Sequence, residues 1–166
     1  MDLTPYLPAI VFVHVASAFA FAAGHGVSML VAFRLRSERH RTRLATLLDL
    51  SGTSLAVAGI GLLVLLVSGI LAGIVGGHLG RGWIWASLAL FLVVGGLMTP
   101  LGGSYFRRVR VGLGQRVGLK PEEPDPVPLS EPELATLLDT GRAELLALVG
   151  VGGFLVILWL MMVKPF

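Results

Sequence analysis

Residues 50–80 read LSGTSLAVAGIGLLVLLVSGILAGIVGGHLG and contain no Asp, Glu, Lys or Arg. This stretch decides the fold, because a helix needs about 20 apolar residues to cross the hydrocarbon core of a bilayer. Three further uncharged runs cover residues 3–33, 82–106 and 145–163. The sequence therefore predicts an all-α membrane protein, a bundle of four transmembrane helices spanning approximately residues 8–33, 51–76, 83–105 and 143–163.

The composition supports this class and excludes others. Hydrophobic residues make up 55% of the chain and charged residues only 14%, whereas globular domains carry about 25% charged residues. The chain has no cysteine, which excludes disulfides and thiolate-bound metal or iron–sulfur sites. The first apolar run lacks a positive n-region and is too long for a signal peptide, so we expect a retained helix.

The basic residues predict the orientation of the chain. Eleven of the 13 Lys and Arg residues lie in residues 34–43 and 107–142. The positive-inside rule then makes residues 34–50 and 106–142 cytoplasmic loops and puts both termini outside. Because these arginines flank spans, we expect the lipid bilayer and no nucleic acid as partner. Three tryptophans near the outer ends of spans fit an interfacial belt: Trp83, Trp85 and Trp159.

The second cytoplasmic loop contains two recognisable segments. Residues 121–128, PEEPDPVP, are typical of a proline-rich acidic linker. Ser130 and Glu133 then have the spacing of a capping box, with Pro132 between them. This pattern predicts a short cytoplasmic helix that leads towards the fourth span.

The chain carries an internal repeat. Residues 44–49, LATLLD, recur letter for letter as residues 134–139, and each copy precedes an even-numbered span. The odd-numbered spans both end in Phe-Arg, at residues 33–34 and 106–107. These matches predict two parallel helical hairpins related by a pseudo-two-fold axis along the membrane normal. Small residues four apart predict close helix packing, as at Ala16, Ala20 and Gly24 and at Gly69, Gly73 and Gly77.

Two histidines lie at membrane depth in the first span. His14 and His25 are eleven residues apart, which puts them within about 20° on one helix face and about 16 Å apart along the axis. Three interpretations stay open for them. Each ring is neutral and hydrogen-bonded to a facing helix, or it ligates haem iron, or it belongs to a proton or ion path.

The repeat suggests partners for these histidines. His25 lies nine residues before Arg34, and Met98 lies nine before Arg107, so the pseudo-symmetry predicts that they face each other at similar depth. The alternative for Met98 is core filling. His14 has no such counterpart, and His78 beyond the second span is its expected partner in a second candidate haem site. His40 lies among arginines and is expected to be solvated.

A family resemblance follows from several short motifs. Residues 14–17 and 24–29, then AFRLR at 32–36, resemble an uncharacterised bacterial family of predicted integral membrane proteins. Residues 48–51, the Ser68-Gly69 pair and Trp83 fit the same pattern. More distantly the chain is similar to the copper-resistance D proteins and the HemJ-type protoporphyrinogen oxidases, which also have a histidine early in the first span. The resemblance implies a bacterial cytoplasmic (inner) membrane location and, through His14 alone, haem b.

The functional expectation has one leading form and two alternatives. The sequence favours a redox or electron-transfer protein that binds haem b through His14 or His25. The first alternative is a cofactor-free accessory subunit that packs against other membrane subunits or in a homo-oligomer, and the second is a small transporter or channel. No P-loop, zinc-protease motif or nucleophile elbow is present, so an enzymatic activity is left open.

Overall fold

A computed structural model describes residues 2–118 and 123–166. This part of the chain is all-helical and contains no strand. A short 3-10 turn, Thr4–Tyr6, leads into the first helix. The helices are α1 (Leu7–Ser37), α2 (Arg41–Val75), α3 (Gly82–Gly112), α4 (Glu131–Leu138) and α5 (Arg142–Val163). The all-α prediction is confirmed.

Four helical segments are long and apolar enough to cross a membrane, namely α1, α2, α3 and the α4–α5 segment. Their outer surfaces are apolar as well, since Phe12, Phe19, Leu148 and Met162 are each more than 70% exposed. Large contiguous apolar surfaces are rare on soluble monomers. An apolar surface of this extent is suited to contact with lipid.

The first connection is more helical than expected. Only residues 38–40 of the predicted loop 34–50 lie outside helices. The reason is that α2 begins with an amphipathic segment in which Leu44 and Leu48 are buried. Glu38 stabilises the tight turn before it, because its carboxylate accepts hydrogen bonds from the backbone N–H groups of Arg39 (2.9 Å) and His40 (3.0 Å).

This turn gives the fold a pH dependence that can be tested. The backbone hydrogen bonds from His40 and Arg39 hold the pKa of Glu38 below its ordinary value. Its contribution to stability is therefore present above that ordinary value and is lost as the pH falls through the lowered pKa. We expect Glu38→Gln to lower the thermal midpoint at pH 7 and to lose this difference from the parent under acid conditions. A pH-independent difference would contradict this account.

The second connection begins later in the sequence than predicted and contains the expected short helix. α3 continues to Gly112, seven residues beyond its predicted span. Residues 119–122, which include the start of the proline-rich linker, lie outside the described residues. α4 begins after Ser130, whose backbone N–H donates to the Glu133 carboxylate at 2.9 Å. The prediction of a helix at this capping box is confirmed.

The helices pack as two hairpins. α1 lies along α2, and α3 lies along α5; α1 and α5 then join the two hairpins, whereas α2 and α3 make fewer contacts. The first hairpin is tight because glycines carry no side chain at its contact surface. A Cβ on Gly24 would lie 2.5 Å from the Ser54 carbonyl oxygen, and one on Gly61 would lie 2.9 Å from the Phe21 amide nitrogen. Gly77 has a different role, since its φ of 67° lies in the turn after α2.

The two copies of the repeat occupy equivalent environments at the end of the bundle predicted to be cytoplasmic. Leu44 and Leu48 in α2 match Leu134 and Leu138 in α4, and all four are at most 2% exposed in one apolar core. The copies differ in continuity, because α2 runs on into its span whereas α4 ends before α5 begins.

Ion pairs join the hairpins crosswise at the same end. Arg36 of α1 pairs with Asp139 of the second copy (3.4 Å) and with Glu144. Arg110 of α3 pairs with Asp49 of the first copy (2.9 Å). Exposed ion pairs contribute about 0–1 kcal/mol, so these pairs link the hairpins but add little to stability.

One member of the predicted tryptophan belt is internal. Trp85 and Trp159 are 56% and 52% exposed, as an interfacial position requires, but Trp83 is only 7% exposed. The Trp83 ring lies 6.0 Å from the His78 ring, and the Lys164 ammonium lies 5.6 Å from its centroid. Trp83 thus packs inside the end of the bundle that is predicted to face outside.

Candidate functional site

His14 is held by the helix that faces it. Its Nδ1 lies 3.0 Å from the Leu65 carbonyl oxygen and 3.4 Å from the Ser68 hydroxyl. Because a carbonyl oxygen only accepts, Nδ1 is the donor and carries the proton. Gly69 makes room for the ring, since a Cβ there would lie 2.7 Å from His14 Cε1. This environment matches the interpretation of a hydrogen-bonded neutral histidine.

His25 lies in a different environment. Its Nε2 is buried and has no hydrogen-bond partner among the described residues. The ring stacks on Phe21, with centroids 5.6 Å apart and planes 10° apart. Buried ring nitrogens usually have a partner, and leaving one without costs about 1–3 kcal/mol. The hydroxyls of Ser87, Tyr105 and Thr140 are also buried without a partner among the described residues, but of these four side chains only that of His25 lines a cavity.

His25 and Met98 come together at Gly150 of α5. A Cβ built on Gly150 would overlap His25 Nε2 and would lie 3.3 Å from Met98 Cε. The two side chains therefore approach the same point, one from α1 and the other from α3. This is the proximity that the internal repeat predicts, although whether either side chain ligates a metal stays a prediction. Sequence reasoning missed the role of Gly150, because only the packing shows which glycine faces the pair.

Both side chains line a cavity between the hairpins. Its volume is about 580 Å³, within the 300–1,000 Å³ of most small-molecule sites. No charged side chain lines the part of its wall that the structure describes. Aromatic and apolar groups dominate that wall, including Phe21, Phe91, Phe106, Phe154, Leu62 and Ile157.

The polar groups in this wall are otherwise satisfied. The Ser28 and Ser51 hydroxyls are 2.8 Å apart, and the Thr99 hydroxyl donates to the Gly95 carbonyl oxygen at 2.9 Å. Among the described residues of this wall, His25 Nε2 is a buried side-chain polar atom without a hydrogen-bond partner. Within the described chain, no group of three or more His, Asp or Glu side chains could share a metal ion, but haem iron needs only one or two side-chain ligands.

The structure does not bring His14 and His78 together. His14 packs at Gly69, whereas the His78 ring lies beside Gly76 and Trp83. Seven residues of helix correspond to about 10 Å of rise, so the two rings lie at different levels. His40 directly precedes α2 and is exposed, as the sequence predicts.

The comparisons with known proteins agree with the architecture and add no activity. No curated protein and no solved structure matches the chain, so the distant similarity to copper-resistance D and HemJ-type proteins gains no support. A family model described as "Predicted integral membrane protein (DUF2269)" matches residues 8–165. Because this match covers nearly the whole sequence, the chain belongs to the DUF2269 family of predicted integral membrane proteins.

Proposed function

We propose that this protein binds haem b in the cavity between its hairpins and serves in membrane electron transfer. His25 and Met98 are the residues that would hold the haem iron. The observation that carries the proposal is the unpaired, buried Nε2 of His25, which meets Met98 beside Gly150 on a cavity wall. We also propose a bacterial cytoplasmic membrane as its location, with both termini outside.

The imidazole, the thioether and the apolar wall fit the iron and the macrocycle of such a group, whereas its two propionates would have to lie outside this uncharged wall. Imidazole with a thioether is an established axial pair for haem iron, and the thioether raises the reduction potential. The apolar wall would exclude water and bind the macrocycle. When bound, haem supplies one-electron chemistry; the chain supplies the ligands and the dry surroundings. His25 Nε2 packs against Gly150, where the absent side chain makes room for the ring, so the ring would have to turn towards the cavity to bind iron.

His14 is a less suitable ligand than His25. It does not line the cavity, and the hydrogen bond from its Nδ1 to the Leu65 carbonyl oxygen accounts for its burial without a cofactor while leaving Nε2 unused. Its predicted partner, His78, lies at another level of the bundle, as described above. His14 therefore provides the matched control for a test of His25, because both are histidines on the same face of α1.

The test is the absorption spectrum of protein purified after expression with haem supplementation. We expect a Soret band and a reduced α-band in the parent, retention of both in His14→Ala, and their loss in His25→Ala. Met98→Leu should keep the haem but shift the α-band and lower the midpoint potential, because a thioether ligand raises it.

Two results would overturn the proposal. The first is a colourless parent that stays colourless when haem is added to the purified protein. The second is a Soret band that survives His25→Ala but disappears with His14→Ala. The colourless result together with co-purifying subunits on a mild-detergent gel would favour the cofactor-free accessory role.

A further inference from the structure

The cavity beside His25 has one open side. α1 packs along α2, α3 packs along α5, and α1 contacts α5. α2 and α3 make fewer contacts, which include the Arg110–Asp49 ion pair near one end and the approach of Ile84 to Gly73 near the other. Residues on both sides of this gap line the cavity and are also exposed, such as Leu55 of α2 at 41% and Leu92 of α3 at 61%. The gap between α2 and α3 therefore connects the cavity with the outer surface of the bundle.

Glycines leave this gap unobstructed. Gly59 of α2 and Gly95, Gly96 and Gly103 of α3 all line the cavity. A Cβ on any of the four would meet no atom within 4 Å. Side chains could occupy these positions without a clash, yet none does. The glycines alone would define no site, but they border the cavity that contains the unpaired nitrogen of His25.

Both ends of the bundle are closed. At the end predicted to be cytoplasmic, Leu35, Val109 and Leu138 are fully buried in one apolar core, and the crossed ion pairs lie around it. At the other end, Trp83 and Ser87 of α3 are buried. The open side thus faces the hydrocarbon of the bilayer, since the flanking residues are apolar and exposed.

We infer that the cavity is loaded sideways, from within the bilayer, through the gap between α2 and α3. Its ligand class is then a membrane-dissolved molecule whose part inside the cavity is apolar and uncharged, with one group that His25 can bind; an ionic group, such as a haem propionate, stays outside this wall. The uncharged wall carries the second part of the inference, because an ionic group in such a wall would lack the partner that burial requires. The inference rests on the proposed function only in placing the ligand in the same cavity.

The test uses a small, uncharged, lipid-soluble aryl diazirine as probe. The parent protein is reconstituted into phosphatidylcholine vesicles, photolysed with the probe and mapped by peptide mass spectrometry. We expect labelling of Met98 inside the cavity as well as of Phe12, which is 72% exposed on the outer surface. In the double variant Gly59→Leu with Gly95→Leu, Met98 labelling should fall several-fold while Phe12 labelling is unchanged.

Gly26→Leu and Gly152→Leu are the matched controls. Both glycines lie in long helices, neither lines the cavity, and a Cβ on either meets nothing within 4 Å. Both variants should keep parental labelling of Met98. The inference is overturned if Met98 is unlabelled in the parent, if the double variant labels it as well as the parent does, or if a charged, water-soluble diazirine labels it equally. These readouts do not involve haem, so a failure of haem binding is distinguishable from a failure of lateral access.

Discussion

Leu48→Ala and Leu138→Ala are each expected to lower the free energy of unfolding by about 2–5 kcal/mol. These leucines occupy the same position in the two copies of the repeat and are 1% and 0% exposed. Each change removes buried methyl groups and leaves a void, because surrounding side chains relax only partly. Similar losses at the two sites are expected, since both side chains belong to the same apolar core.

The measurement is unfolding in mixed micelles of mild detergent and dodecyl sulfate, followed by circular dichroism. Leu50→Ala and Leu148→Ala serve as controls, because these leucines are 51% and 72% exposed and should change the unfolding free energy little. A neutral Leu138→Ala would show that α4 does not contribute to the core. That outcome would also remove the structural equivalence of the two repeat copies.

The spans were predictable because their signal is local. An uncharged run long enough to cross a bilayer is stable there as a helix, because each backbone group is then hydrogen-bonded within the same segment. The start of α4 was predictable for a similar reason, since the Ser130 and Glu133 spacing is itself the cap. The helical start of α2 was missed in residues 41–50, because Arg41, Arg43 and Asp49 interrupt the apolar pattern there. Leu44 and Leu48 are nevertheless buried, and Leu47 packs against the same core.

The candidate site was predictable only where the repeat carried long-range information. Counting from the arginines paired His25 with Met98, and the structure brings the two to the same glycine. The partner of His14 is a backbone carbonyl of Leu65, which any residue type provides, so no sequence pattern marks it. Trp83 illustrates the same limit, because its position at a helix end could not show that the ring turns inward.

Gly24→Ala is expected to lower the free energy of unfolding by about 1–3 kcal/mol, as overpacking does. A Cβ there would lie 2.5 Å from the Ser54 carbonyl oxygen and 2.9 Å from the Ala58 amide nitrogen. Both are backbone atoms, so α1 and α2 must separate to relieve the contact. Gly26→Ala is the control, because a Cβ at Gly26 meets nothing within 4 Å.

The two variants share the same helix and the same change in chemistry. Alanine favours a helix over glycine by about 1 kcal/mol at either position, so Gly26→Ala should be neutral or stabilising in the same mixed-micelle assay. The difference between the variants then isolates the contact between α1 and α2. If Gly24→Ala were as stable as Gly26→Ala, the close helix approach would be wrong. The position of His25, the next residue along α1, would then be wrong with it.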